Sequence, residues 1–478
     1  MLFNSISFAI FLPIVFTLYW LIPTENRKLQ NILLLFSSYF FYGWWDYRFL
    51  FLLIFSTLLD FYSGLKIDGA KNKSEKKLWL FISVFVNVGF LAFFKYYNFF
   101  AGNFIALSNS LGFKANVWTV RVILPVGISF YTFHGLSYVF DVYNQKVKPR
   151  KIFTDYALFV SFFPLLVAGP IERATHLLPQ VEKKRLFNYA LAVDGLKQIL
   201  WGLFKKMVVA DTCAELVNAI FSNSNHLSGS TLVIGTVLFA FQIYGDFSGY
   251  SDIAIGVARL FGFDLLRNFA YPYFARDIAE FWRRWHISLT SWFKDYLYIP
   301  LGGNKVSTLL QIRNVLIVFL VSGFWHGANW TFLVWGALNA LYFIPLMLLK
   351  KNRDHLEIVA KGNILPGFKD LINMLLTFGI TCFAWIFFRS VTISQAVSCI
   401  KTIFSGSILH KPEIFSVKAF IFIIILILMD WIGREQLYSI KAIGQKWPKA
   451  LRWTFYSAIL FSILYFGGQK EPFIYFNF

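Results

Sequence analysis

Thirteen apolar stretches recur along this chain and constrain its fold more than any other feature. They run roughly over 5–22, 30–45, 47–64, 78–100, 121–140, 153–170 and 190–210, then 231–250, 312–325, 329–349, 371–389, 417–433 and 451–467. A helix that crosses a bilayer needs about 20 such residues in succession. Hydrophobic residues make up 57% of the 478 and charged ones 15%, too little polar surface for a soluble fold of this length. A chain this apolar and aromatic is not disordered. Its runs are continuous rather than alternating, which argues against an outer-membrane β-barrel. The class that remains is an all-α polytopic membrane protein. Several stretches are short or broken by Gly and Pro, and a broken backbone survives at membrane depth only where protein or a wet cavity satisfies it. About eleven transmembrane helices plus re-entrant or interfacial helices are expected, in one membrane domain over 1–478.

Lysine and arginine outnumber aspartate and glutamate 45 to 25, for a net charge of +20. In a soluble protein that excess would suggest nucleic acid. Here the cations fall between apolar runs, where they set orientation and meet anionic headgroups, so the expected partner is the lipid bilayer and not nucleic acid. With the N-terminus outside, the inner loops 23–29, 65–77 and 143–152 carry eleven basic residues, among them Arg27, Lys71 and Lys148. The facing loops carry Arg48, Lys114 and Arg121. The positive-inside rule therefore favours an extracytoplasmic N-terminus. The first stretch lacks a basic leader and a small-residue cleavage site, so it reads as a retained span. Cys213, Cys382 and Cys399 show no metal-binding or disulfide spacing.

One segment breaks the apolar pattern. Residues 244–305 hold Asp246, Asp252, Asp264, Asp277, Glu280 and Asp295 together with Arg259, Arg267, Arg276, Arg283, Arg284, Lys294 and Lys305, yet they are full of aromatics. Too charged for lipid and too aromatic for a soluble loop, the segment reads as interfacial or re-entrant helices packed on the bundle. For Arg283 two readings stand, substrate contact and headgroup anchoring. Asp246, Ser248 and Tyr250, in GDFSGY, are candidates for a substrate path and equally for structure.

His326 sits in SGFWHGANW, inside an otherwise apolar stretch, between small residues that let backbone or substrate approach. An ionisable residue at that depth is costly and marks a functional hypothesis, although a histidine hydrogen-bonded between helices is an equal alternative. His286 stands forty residues upstream in WRRWHIS. No HExxH or third-ligand spacing accompanies the pair, so no metal is expected. A histidine titrating near neutrality can take the proton of a hydroxyl that attacks an acyl carbonyl. No GxSxG elbow supplies a serine nucleophile, so the acceptor itself would attack. Of the remaining five, His134 lies within a span and is expected to serve packing, His176 and His410 flank spans, and His226 and His355 fall in polar loops.

At these residues the chain resembles the membrane-bound O-acyltransferases, in the branch of alginate O-acetyltransferases that modify bacterial polysaccharides. The matching pieces are MLFNSISFAIFLPIVFTLYWLIP, NILLLFSSYFFYGWW, LPVGISFYTF, SFFPLLVAGPIER, DFSGYSDIAIGVARLFGF, EFWRRWHISLTSWFKDYLYIPLGGN, GFWHGANWTFLVWG and the closing PFIYFNF. They cover the chain nearly end to end. WRRWHISL together with WHGANW is highly specific. The resemblance implies a ring of transmembrane helices around a thin core, in the plasma (inner) membrane of a bacterium. It implies that 244–339 is the catalytic core segment, with His326 as the catalytic residue and His286 as the second family histidine. Trp325, Asn329, Trp285 and Arg283 flank them as candidates for the substrate path. The implied reaction moves an acetyl group from cytoplasmic acetyl-CoA, a cosubstrate rather than a bound cofactor, towards a polysaccharide outside. In many relatives an extracytoplasmic esterase-like protein completes the transfer. The chain departs from relatives at Asn339, where they often carry His, and at His134, where they often carry Gln.

Two other readings stand beside this one. The first is transfer of a D-alanyl or other acyl group from a carrier protein to teichoic acid. The second, of a different class, is a transporter or flippase for a glycan or acyl carrier, suggested by the interrupted helices and the charged central segment. A transporter needs no catalytic histidine.

Overall fold

The structure, a computed structural model, describes residues 1–113, 123–467 and 471–474. Lys114 and Arg121, which entered the orientation rule, and residues 475–478 of the closing motif lie outside the described residues. Among the described residues there is no strand, and the regular structure is helical, as the apolar runs require. Among the described residues six helical segments are long and apolar enough to cross a membrane: Arg48–Gly69, Lys73–Ser110, Gly229–Leu260, Thr308–His326, Trp330–Leu348 and Phe368–Arg389. Ile6–Leu21, Arg27–Gly43, Ile128–Tyr143, Val417–Ile432 and Lys449–Phe466 are shorter or more polar. The chain forms two compact units, Met1–Ala192 with Ala258–Leu266, and Val193–Val257 with Arg267–Phe478.

In the first unit the helices lock through buried polar groups. Asp60 accepts hydrogen bonds from Ser83 Oγ and Asn87 Nδ2, both at 2.7 Å. Arg185 donates to Tyr19 Oη and Asn31 Oδ1 at 2.6 Å, and Asn31 Nδ2 donates to Asp155. Such groups persist away from water because each meets a partner. The apolar stretch 153–170 is broken, in keeping with its Gly and Pro content: Phe153–Ser161 and Phe163–Leu166 are separate short helices.

In the second unit the GDFSGYSD motif differs from its interfacial expectation. It lies inside the continuous Gly229–Leu260 helix, most of which is buried. Two features make that possible. Gly249 and Gly256 face Gly202 and Gly195, and a Cβ on Gly249 or Gly256 would stand 2.7 or 2.5 Å from the opposing carbonyl oxygen, so backbones touch. The motif's carboxylates are neutralised by lysines on a π-helical turn at Phe204–Ala210. Lys206 Nζ lies 2.7 Å from Asp211 and 2.9 Å from Asp246, and Lys205 Nζ lies 2.6 Å from Asp252. The remainder of the polar segment is an extended run followed by the short helices Ile278–Arg284 and Ile287–Phe293.

Candidate active site

The Thr308–His326 helix stops at His326 because Gly327 is extended and the next helix, Trp330–Leu348, starts just beyond it. Asn329 caps that helix, its Oδ1 accepting from the Thr331 amide at 3.1 Å, while its Nδ2 donates to the Val391 carbonyl at 2.8 Å. Asn329 therefore holds the turn that presents His326. The imidazole is 3% exposed. The rings against it include Trp325 at 4.9 Å between centroids, Trp335 at 5.1 Å and Phe388 at 5.3 Å, each steeply inclined to the imidazole. These rings are themselves backed. Trp335 stacks on Trp385 at 5.7 Å, Trp385 meets Trp285 at 5.3 Å, and Phe388 meets Trp385 at 5.0 Å.

His286 occupies the kink between the two short helices, with φ 42° and ψ 53°. A left-handed backbone at a non-glycine residue costs about 1–3 kcal/mol and persists only where the surroundings impose it. Asn268 imposes it here. Its carbonyl accepts from the Ile287 amide at 2.9 Å, its Oδ1 accepts from Ser288 Oγ at 2.5 Å, and its Nδ2 donates to Ser251 Oγ at 3.1 Å. The Ala270 amide donates to the Arg284 carbonyl, closing the clasp. The His286 ring is 1% exposed and packs against Phe247 at 4.6 Å and Trp325 at 6.0 Å. Among the described residues neither of its ring nitrogens has a hydrogen-bond partner. Both candidate histidines thus pack against one indole, Trp325.

The other expected residues divide. Trp285 joins the aromatic wall through Trp385 and Phe269. Tyr250 packs on Phe473 of the closing segment at 4.9 Å, and Phe473 also meets Phe247, the ring against His286. Asp246 accepts from the Ile474 amide at 2.7 Å, and Ser248 Oγ accepts from Lys205. The first contact ties the long helix to the closing segment, the second to the π-helical turn. Arg283 spends its guanidinium on the carbonyls of Asn352 and His355, both at 2.7 Å, and so pins a loop. His134 is fully buried beside Phe159, in the first unit. His176, half-buried, is raised by its 2.8 Å hydrogen bond to Glu172, and Glu172 is itself raised by burial, so the pair can share a proton. His226 and His410 are exposed. Among the described residues no group of three acidic, Cys or His side chains could hold a metal.

Sequence reasoning misses Asn268, Trp335, Phe388 and the paired lysines. WHGANWTFLVWG does contain Trp335, but nothing in its spacing says which ring meets the imidazole. Asn268 and Phe388 carry no local signal.

The membrane-bound O-acyltransferase family matches residues 77–387. The chain is 37% identical to a peptidoglycan O-acetyltransferase of Helicobacter pylori, over 84% of this chain and 79% of that one. It is 34% identical to a probable alginate O-acetylase of Pseudomonas aeruginosa, over 94% and 84%. A more distant relative is the teichoic acid D-alanyltransferase of Bacillus subtilis, 24% identical over 55% and 68%. The chain belongs to the membrane-bound O-acyltransferase family. It is a multi-pass membrane acyltransferase.

Proposed function

We propose that this acyltransferase moves an acetyl group from cytoplasmic acetyl-CoA towards hydroxyls of an extracytoplasmic envelope or secreted polysaccharide. The acetyl group and the polysaccharide class follow the names of its relatives. The observation that carries the reading is a histidine at the end of an apolar helix, enclosed by aromatic rings and sharing Trp325 with a second buried histidine. In this reading His326 takes the proton of the acceptor hydroxyl as its oxygen attacks the thioester carbonyl. The C–S bond then breaks and the thiolate leaves as coenzyme A. A water-poor aromatic enclosure protects the thioester from hydrolysis. His286, with unsatisfied ring nitrogens, orients the acceptor or assists the proton transfer. Segment 244–339 is the catalytic core of a single functional membrane domain. The protein resides in a bacterial inner membrane with its N-terminus outside, basic loops facing the donor's phosphates. An extracytoplasmic esterase-like protein receives the acetyl group and completes delivery.

The test is the ester-linked acetyl content of envelope and secreted glycans in a deletion strain, complemented with the wild type or with His326→Ala at matched membrane levels. Loss of acetyl ester from one glycan in the variant supports the reading and names the acceptor. Equal acetylation in both overturns the role of His326 and the acetyl-transfer reading built on it. The distant D-alanyltransferase relative motivates a second reading, in which the donor is a D-alanyl carrier protein. Supplying membranes with each donor in turn separates the two.

A further inference from the structure

The rings around His326 bear on how large an acyl group can react there. Trp335 and Phe388 each stand near-perpendicular to the imidazole at centroid distances of 5.1 and 5.3 Å, which is van der Waals contact. Neither has room to swing aside. Trp335 is stacked on Trp385 and wedged by Trp282 at 5.7 Å, and Phe388 is braced by Phe332 at 4.8 Å. Both are 1% exposed. Behind them the backbone is equally fixed, because a Cβ on Gly323 or Gly336 would collide with a carbonyl of the facing helix. A reacting carbonyl must come within about 3–3.5 Å of the hydroxyl that His326 activates. Carbons beyond the carbonyl then meet this rigid wall.

We propose that Trp335 and Phe388 set the acyl-size limit of the enzyme, closing the space beside His326 so that a two-carbon group is accepted and longer ones are refused. The inference rests on His326 being the reacting base. It goes beyond that reading by assigning specificity to two residues of other helices. One methylene too many in a tight apolar pocket costs roughly 10–200-fold in transfer. Shortening either ring to leucine removes most of that penalty, so the ratio of longer acyl to acetyl rises.

The experiment uses a deletion strain expressing the full chain and grown with propionate or butyrate, so that longer acyl thioesters are available whatever the donor. Esters released from the glycans by mild alkali are quantified as acetate, propionate and butyrate. Trp335→Leu and Phe388→Leu are compared with the wild type at equal membrane levels. Trp201→Leu, a buried tryptophan stacked on Phe204 in the same unit, controls for general loosening. The expected result is a rise of about tenfold or more in the propionyl-to-acetyl or butyryl-to-acetyl ratio for Trp335→Leu or Phe388→Leu, and an unchanged ratio for Trp201→Leu. An unchanged ratio in both wall variants, or an equal rise in the control, overturns the proposal. Should Trp335→Leu fail to accumulate, Phe388→Leu alone decides. His326→Ala runs alongside: full ester in that variant refutes the catalytic reading itself, which is a different failure from an unmoved ratio.

Discussion

Two buried polar regions of the second unit solve opposite problems. Around the π-helical turn, Lys206 is held by Asp211, Asp246 and the Glu471 carbonyl at 2.7–3.1 Å, and Lys205 by Asp252 and Ser248 at 2.6 and 3.0 Å. Every charge there has an opposite charge within reach. Around Trp325 the polar atoms are imidazoles set among rings, and His286 has no hydrogen-bond partner among the described residues. Burying a polar group without a partner costs about 1–3 kcal/mol. A left-handed backbone at the same residue adds to that cost. The same unit thus satisfies its lysines fully and leaves a strained histidine without a hydrogen-bond partner among the described residues. The difference separates groups that hold the molecule together from groups available for chemistry.

The contrast can be broken by mutation. The largest effect is expected at His326, where replacement by Ala should lower acyl transfer by about 10²–10⁴ without changing the melting temperature of the detergent-solubilised protein. Next comes Lys206→Met, which strands two buried carboxylates and should cost about 3–5 kcal/mol, seen as a lower melting temperature and lower yield. His286→Asn keeps a residue that tolerates the left-handed backbone, so folding should survive while transfer falls by about 10–100-fold. A parallel loss of fold would place His286 with the lysines instead. Asn268→Ala removes the clasp of the kink and should cost about 1–2 kcal/mol, with transfer falling along with it. The smallest effect concerns pH. Glu413 accepts hydrogen bonds from Thr231 Oγ1 and from Ser228 Oγ, which hold its carboxyl down at about 2. A depressed carboxyl contributes stability above its ordinary 4.5, and that contribution fades as pH falls towards 2. Amide protection factors at the first turn of the Gly229–Leu260 helix, taken relative to the intrinsic rate at each pH, should therefore fall across that window, and less so in Glu413→Gln.

Much of this site is legible in the amino-acid sequence alone. WRRWHIS and WHGANW contain both candidate histidines, and a polar, aromatic segment between apolar runs contains the two short helices. What escapes is pairing at a distance. Asp246 and Asp252 look interfacial because their lysine partners stand some forty residues upstream, in a stretch that reads as one more span. Arg283 looks like a substrate contact because the carbonyls it holds belong to a loop about seventy residues downstream. Asn268 looks like nothing, since its work is done by backbone and amide groups on a kink that sequence periodicity cannot register. Motifs expose side-chain identity. They do not expose which neighbour satisfies a buried charge, and that neighbour decides between structure and chemistry.

The most direct measurement is a side-by-side assay of purified wild type, His326→Ala and Lys206→Met in lipid discs. Acyl transfer would be expressed per folded molecule, with the melting temperature recorded for each. The account predicts that His326→Ala melts like the wild type and transfers nothing measurable. It predicts that Lys206→Met melts lower, while its surviving folded fraction transfers within about tenfold of the wild type. The reverse pattern, with transfer retained in His326→Ala and abolished in folded Lys206→Met, would contradict it.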